Sequence, residues 1–386
     1  MDARAFSLRF KAFNALLFIG SGIQLPFMPL WLHAKGLAPA QIALIMALMM
    51  GVRSIATPIG AYIADRTGKR RQVIVTAAFA AFAAFAVLAL MNGFWPILMV
   101  AVTAAAFFSP VSTLGEVMAI EGCVAHGLDF GRIRLWASIS FLLGNVLSGA
   151  LLDVVAVSWV IYFIIAAQGM GALITLVLPE DPIRRSFSGA PVTVTRVLRH
   201  ALTGPFFIFL AAVTIGQASH GMFYAIGSVH WDHQGLSKFL IGELWAIGVL
   251  AEVLFFQMSR SVVAKFRPEV MIVAGISGGL LRWLIFAINP SVVLLHFGSM
   301  LHAMSFALTH LGTMHFIQQR SPGVIRNSVQ GVYSSLYGAL LSATMWASGP
   351  LYTGFGGMAY LAMAGLSAVA LGLAVLLARL TPTEPA

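Results

Sequence analysis

Several ionisable side chains stand inside, or at the mouths of, long apolar stretches of this 386-residue chain: Arg53, Glu116, Arg134, His220, Glu252, Arg282, His302 and His310. An ionisable group in hydrocarbon is costly, so such residues mark either function or a charge pair that cancels itself. A guanidinium at Arg53 can hold a carboxylate through two parallel hydrogen bonds, unless it is used up on Glu116 or Glu252. A Glu in one apolar helix and an Arg opening the next, Glu116 and Arg134, suit either ligand binding or a structural ion pair. Glu252 is the candidate to exchange a proton, its charge answered by Arg282. Each of His220, His302 and His310 is an alternative carrier or an interhelical hydrogen-bonding group.

The elements that must position these residues follow from composition. With 59% hydrophobic and 9% charged residues and a mean hydropathy of +0.91, the chain is too apolar for a soluble domain. A span needs about 20 apolar residues, so the length accommodates roughly twelve helices with short loops. Twelve runs are read at 10–31, 40–63, 72–92, 95–120, 133–153, 158–178, 204–230, 239–260, 269–288, 291–318, 327–349 and 355–378. The fold class is therefore an all-α membrane protein. One cysteine, Cys123, excludes a disulfide framework and a multi-cysteine metal site, and no HExxH, CxxC or phosphate loop occurs. No cofactor or metal is expected.

The net charge of +10 does not indicate nucleic acid, because the basic residues sit in the gaps between apolar runs. If both termini are cytoplasmic, 19 of the 23 Lys and Arg lie on or beside cytoplasmic loops. Lys35 and Lys238 fall on the opposite side, and Arg53 and Arg282 lie within spans. The first run has no persuasive cleavage site and reads as an uncleaved helix. The polar stretch at 181–203, with Arg184, Arg185, Arg196 and Arg199, reads as a flexible cytoplasmic linker between an N-terminal six-helix bundle, 1–180, and a C-terminal one, 204–386. A faint repeat supports the duplication: "WLHAKGLAPAQI" from Trp31 resembles "WDHQGLSKFLI" from Trp231. At an offset of 199 residues Gly36 maps onto Gly235 and Arg53 onto Glu252.

After the second run comes "ADRTGKRR", in which Asp65, Arg66, Gly68, Lys69, Arg70 and Arg71 resemble the loop signature of the major facilitator superfamily. Ala61 replaces the leading glycine of that pattern. A carboxylate among cations can act as a conformational gate, the reading favoured for Asp65 and Arg66 because an acid adds little to topology, whereas Lys69, Arg70 and Arg71 are better explained as topogenic charge. Four further segments, "LDFGRIRLWASISFLLGNVLSG", "QASHGMFYAIGSVHW", "LWAIGVLAEVLFF" and "LHAMSFALTHLGTMHFI", resemble the phenylpropionate permease group, a branch near lactose permease and the nucleoside proton symporters.

The resemblance implies a twelve-helix transporter with two pseudo-symmetric halves. It implies that Glu116 and Arg134 form a binding pair and that Phe141 takes the place of the aromatic that stacks on substrate. A phenylalanine there offers a face without a hydrogen bond, which suits an aromatic ligand better than a sugar. Arg282 and His302 match the helix-nine arginine and helix-ten histidine of lactose permease, but Ser305 and Ser299 stand where its helix-ten glutamate and lysine would be. The proton site has therefore moved or is absent. Gly144 and Gly149 read as packing residues, and "GNVLSGALLD" lacks the proline of drug-efflux antiporters.

The expected function is proton-coupled import of a small aromatic or related organic carboxylate, 3-phenylpropionate-like, by alternating access. Arg53, Glu116, Arg134 and Phe141 would bind it, and Glu252 and Arg282, with His302, His220 and His310, would couple it to protons. The alternative is a symporter of a neutral sugar or nucleoside; a drug-efflux antiporter or membrane enzyme fits less well, since no nucleophile-base constellation is visible. Its partners would be substrate, protons and lipid, as a monomer in the bacterial inner membrane.

Overall fold

A computed structural model describes residues 2–180 and 194–381. Among these residues there is helix and turn but no strand. That is the expected outcome in lipid, where every backbone N–H and C=O must be satisfied within the segment. Eleven stretches are long and apolar enough to cross a membrane, and the last, Arg326–Leu380, is two helices divided by a 3-10 turn at Gly356–Ala359. Twelve spans therefore follow in order: α1 Ala3–Ala34, α2 Pro39–Thr67, α3 Arg70–Leu90, α4 Phe94–His126, α5 Phe130–Leu152, α6 Val157–Thr175, α7 Gly204–His233, α8 Lys238–Gln257, α9 Pro268–Ala287, α10 Val292–Arg320, α11 Arg326–Phe355 and α12 Tyr360–Leu380.

Local chemistry sets the ends. The Asp2 side chain accepts from the Ala5 N–H at 2.6 Å to start α1, and Asp129 accepts from the Gly131 N–H at 2.8 Å to start α5. Gly68 and Gly127 close α2 and α4 in the left-handed conformation, at φ +66° and +64°, where a side chain would be strained. α1 starts seven residues earlier than its apolar run and α4 ends six residues later, because the capped ends are polar and hydropathy does not register them.

The described chain divides into two compact units. The first comprises residues 2–180 together with Tyr224–Ala246; the second comprises residues 194–223 together with 247–381. The C-terminal part of α7 and the start of α8 thus group with the first unit. The core of the first unit includes Phe6, Phe10, Phe13, Val111, Met118 and Ile133. The core of the second includes Phe206, Phe209, Ile272, Phe316, Tyr333 and Leu377. Residues 181–193 of the expected linker, with Arg184 and Arg185, lie outside the described residues. The remainder is not plain coil: Val194–Ala201 is a short helix that buries Val197 and Ala201 in the second unit's core.

The repeat seen in the sequence has a structural counterpart inside the first unit. After α1, Gly36 has φ +81°, and the Leu37 N–H donates to the Leu32 carbonyl at 3.3 Å. After α7, Gly235 has φ +81°, and the Leu236 N–H donates to the Trp231 carbonyl at 3.1 Å. Both are the same glycine-dependent helix stop, used twice.

Candidate functional site

In the second unit, Arg282 of α9 is 1% exposed and sits among aromatic faces. Its guanidinium carbon lies 4.6 Å from the Phe223 ring centre, 4.8 Å from Trp283 and 5.4 Å from Phe286. Cation–π contacts of this kind replace part of the hydration lost on burial. Arg282 Nη1 donates to His302 Nδ1 at 3.0 Å and to Ser305 Oγ at 3.4 Å. His302 Nε2 lies 3.4 Å from Glu252 Oε2. A carboxylate, an imidazole and a guanidinium therefore form one chain, with His302 bridging the two charges that sequence reading pairs.

Arginine cannot accept a hydrogen bond, so the direction of the chain is fixed. His302 accepts at Nδ1 and must carry its proton at Nε2, pointing at Glu252. A second branch runs through Ser305, 3.2 Å from His220 Nε2, while His220 Nδ1 lies 2.9 Å from the Gln217 carbonyl. That carbonyl can only accept, so His220 donates from Nδ1 and accepts the Ser305 hydroxyl at Nε2. Ser305, at the position where the resemblance leads one to miss a glutamate, joins His220 to Arg282. His310 joins through ring stacking: His302, Phe306 and His310 form a ladder on α10, with centroids 5.2 and 6.1 Å apart. Its ring is within electrostatic reach of Glu252.

The backbone is shaped for this cluster. α10 widens into a π-helical turn over Ala303–Leu308, which carries Ser305. Such turns are uncommon and gather at functional sites. Opposite it α9 presents Gly275 and Gly278; a Cβ at Gly278 would lie 2.5 Å from Met304 Cβ. The glycines let the widened turn lie against α9. The sequence shows the "GISGG" run but gives no sign of the π turn. The aromatic surround is half legible, since Trp283 adjoins Arg282 in sequence and Phe286 follows it by one helical turn, whereas Phe223 arrives from α7.

In the first unit, Arg134 and Glu116 come together as the resemblance implies, with Nε to Oε1 at 3.7 Å. Their side chains are 38% and 50% exposed, so the pair is loose and open. The Arg134 guanidinium also lies 4.7 Å from the ring centre of Phe18 on α1, a contact that the sequence reading misses. Phe141 stands two turns along α5 from Arg134 and is half-buried, its carbonyl against Gly22 of α1. Arg53 is exposed, directly after a break in α2 at Val52. The desolvated setting that its sequence context suggests is not provided by the first unit itself.

The signature loop is also resolved into parts. Arg70 forms an ion pair with Glu121 of α4 at 2.7 Å, both side chains 11% exposed. Arg71 donates to the Leu176 carbonyl at 2.6 Å, and Arg66 to the Tyr62 hydroxyl at 3.2 Å. Asp65 and Lys69 are exposed around the turn at Gly68. Glu121 is the partner that the sequence reading does not anticipate. Among the described residues no group of three or more His, Cys, Asp or Glu is placed to hold a metal.

The profile of the MFS_1 like family matches residues 7–362. The chain belongs to that family. MFS_1 like proteins have the major facilitator fold of twelve membrane helices in two pseudo-symmetric halves, and they are transporters of small molecules, not enzymes. The chain is 28% identical over 328 residues to the probable 3-phenylpropionic acid transporter of Escherichia coli (strain K12), covering 83% of this chain and 84% of that one. It is 24% identical over 332 residues to the maltose permease of Geobacillus stearothermophilus, with 85% and 82% covered. Among solved structures, the nucleoside transporter NupG superposes with a TM-score of 0.85 over 96% of this chain and 98% of that one, at 16% identity. The likeness to NupG is one of fold.

Proposed function

We propose that this secondary transporter imports a small aromatic or related organic carboxylate together with a proton, by alternating access. The observation that carries the reading is the chain Glu252–His302–Arg282 inside a membrane-spanning bundle. Protonating Glu252 removes the negative charge that balances Arg282, and a carboxylate substrate restores a balance. The fully loaded carrier is then electrically compensated and can reorient, whereas a half-loaded one carries an uncompensated charge and cannot. The open Arg134–Glu116 pair, with Phe141 and Arg53, supports binding of the acid, because a loosely held guanidinium can exchange Glu116 for a substrate carboxylate. Similarity to a probable 3-phenylpropionic acid transporter favours an aromatic acid. The carrier would work as a monomer in the bacterial inner membrane with both termini cytoplasmic.

The test is uptake into proteoliposomes. 3-Phenylpropionate, cinnamate, benzoate, nucleosides and galactosides are first screened for thermal stabilisation, and any hit is then followed with and without an inward proton gradient. Gradient-driven accumulation of an aromatic acid, lost in Arg134→Ala, is expected. Accumulation of neutral sugars or nucleosides alone would sink the reading in favour of neutral-substrate symport, which the similarity to maltose permease makes the second choice.

A further inference from the structure

Away from both clusters, two histidines meet ring to ring within the first unit. His33 is in the last turn of α1 and His233 is the last residue of α7. Their Nε2 atoms are 3.2 Å apart, the ring centres 4.9 Å apart and the planes inclined at 73°. His33 is half-buried and His233 exposed. Neither ring belongs to the chain around Arg282, and the repeat does not explain them: the matching turns pair His33 with Asp232, not with His233.

Two imidazoles that face each other through Nε2 can share one proton or one metal ion. A tetrahedral zinc ion with Zn–N bonds of about 2.0–2.1 Å holds two imidazole nitrogens about 3.3–3.4 Å apart. The 3.2 Å separation meets that requirement with almost no movement. We propose that His33 and His233 form a site for a divalent transition metal that clamps the end of α1 to the end of α7.

Both rings bind as neutral imidazoles through Nε2 and keep their proton on Nδ1, so no net proton is lost. Water completes the coordination, because among the described residues no third His, Cys, Asp or Glu joins the pair as a ligand. The charges nearby are already engaged. The Lys35 ammonium donates to Asn92 Oδ1 at 3.0 Å, and Asp232 is paired with Lys238. Asp153 accepts from the backbone N–H groups of Lys238 and Phe239 at 2.7 and 3.1 Å. The site is thus a borderline-soft nitrogen pair, which selects zinc, nickel or copper over calcium or magnesium.

The test uses the full chain, purified with a tag free of histidine. Zn2+ binding is measured calorimetrically, and hydrogen exchange is followed across residues 28–36 and 226–236 with and without Zn2+. Wild type should bind about one Zn2+ and show slower exchange in both segments. His33→Ala and His233→Ala should each lower the affinity at least about tenfold and abolish the protection, whereas His296→Ala with His315→Ala should leave both unchanged. Retention of wild-type affinity in either single variant, or tight binding without protection of the two segments, overturns the proposal. Mg2+ serves as the ion that should not bind. Because binding and exchange are read without any substrate, failure here leaves the proposed transport untouched, and failure of transport leaves the metal site standing.

Discussion

At the residue scale, Glu252, His302 and Arg282 define what a substitution can separate. Glu252→Gln keeps the shape of the side chain but not its charge, so the carrier should lose the dependence of its charge balance on protons. Gradient-driven accumulation should disappear while exchange of internal for external substrate survives, a split read from counterflow in proteoliposomes. Arg282→Lys keeps the charge but not the planar guanidinium whose Nη1 serves both His302 and Ser305 while its carbon lies over the Phe223 ring. Loss of a charge-assisted hydrogen bond costs about 1.5–3 kcal/mol, so transport efficiency should fall roughly 10- to 150-fold. Unchanged uptake in this variant would argue against any role for the guanidinium geometry.

At the element scale, the contact of α9 with the π turn of α10 depends on the absence of side chains. Gly278→Val would drive two methyl groups towards Met304 and should destabilise the second unit by about 1–3 kcal/mol, seen as a lower Tm in detergent. The helix Val194–Ala201 supplies a pH effect. His200 packs its ring 4.4 Å from Phe206 and lies 3.3 Å from Ser321 Oγ; burial lowers its pKa below the ordinary value near 6.5. The unfolded chain therefore takes up more protons at this position, so stability rises with pH. Its contribution is complete above about pH 6.5 and is lost as pH falls towards the depressed folded value. Tm measured from pH 5 to 8 should show a smaller decline in His200→Gln than in wild type.

At the scale of the whole molecule, the Arg134–Glu116 pair belongs to the first compact unit and the Glu252–His302–Arg282 chain to the second, and both are required if charge compensation governs reorientation. Arg134→Ala should weaken substrate-dependent thermal stabilisation, whereas Glu252→Gln should leave it nearly intact and remove the proton dependence of uptake. Both effects in one variant would mean that binding and coupling are not separable in this way. Orientation is testable independently: single cysteines placed at Lys35 or Lys238 in a Cys123→Ser background should react with impermeant reagents from outside intact cells.

The sequence alone determined the class and the number of helices, because hydrocarbon admits only backbone that satisfies itself, and about 20 apolar residues per crossing leave a direct trace. The residue type also sets the turns at Gly36, Gly68 and Gly235, where glycine takes a positive φ without strain, although the apolar runs read from the sequence end several residues before them. Arg134 and Glu116 were legible by family spacing, and Arg282 and His302 were legible as costly charges in apolar runs. Tertiary structure decided who meets whom. That His302 stands between Glu252 and Arg282, that Ser305 carries the link to His220, and that Glu121 holds Arg70 depend on which faces of neighbouring helices turn together. Hydropathy averages over those faces and cannot register them. The meeting of His33 with His233 is of the same kind, arising from side chains far apart in the chain whose proximity only packing can set.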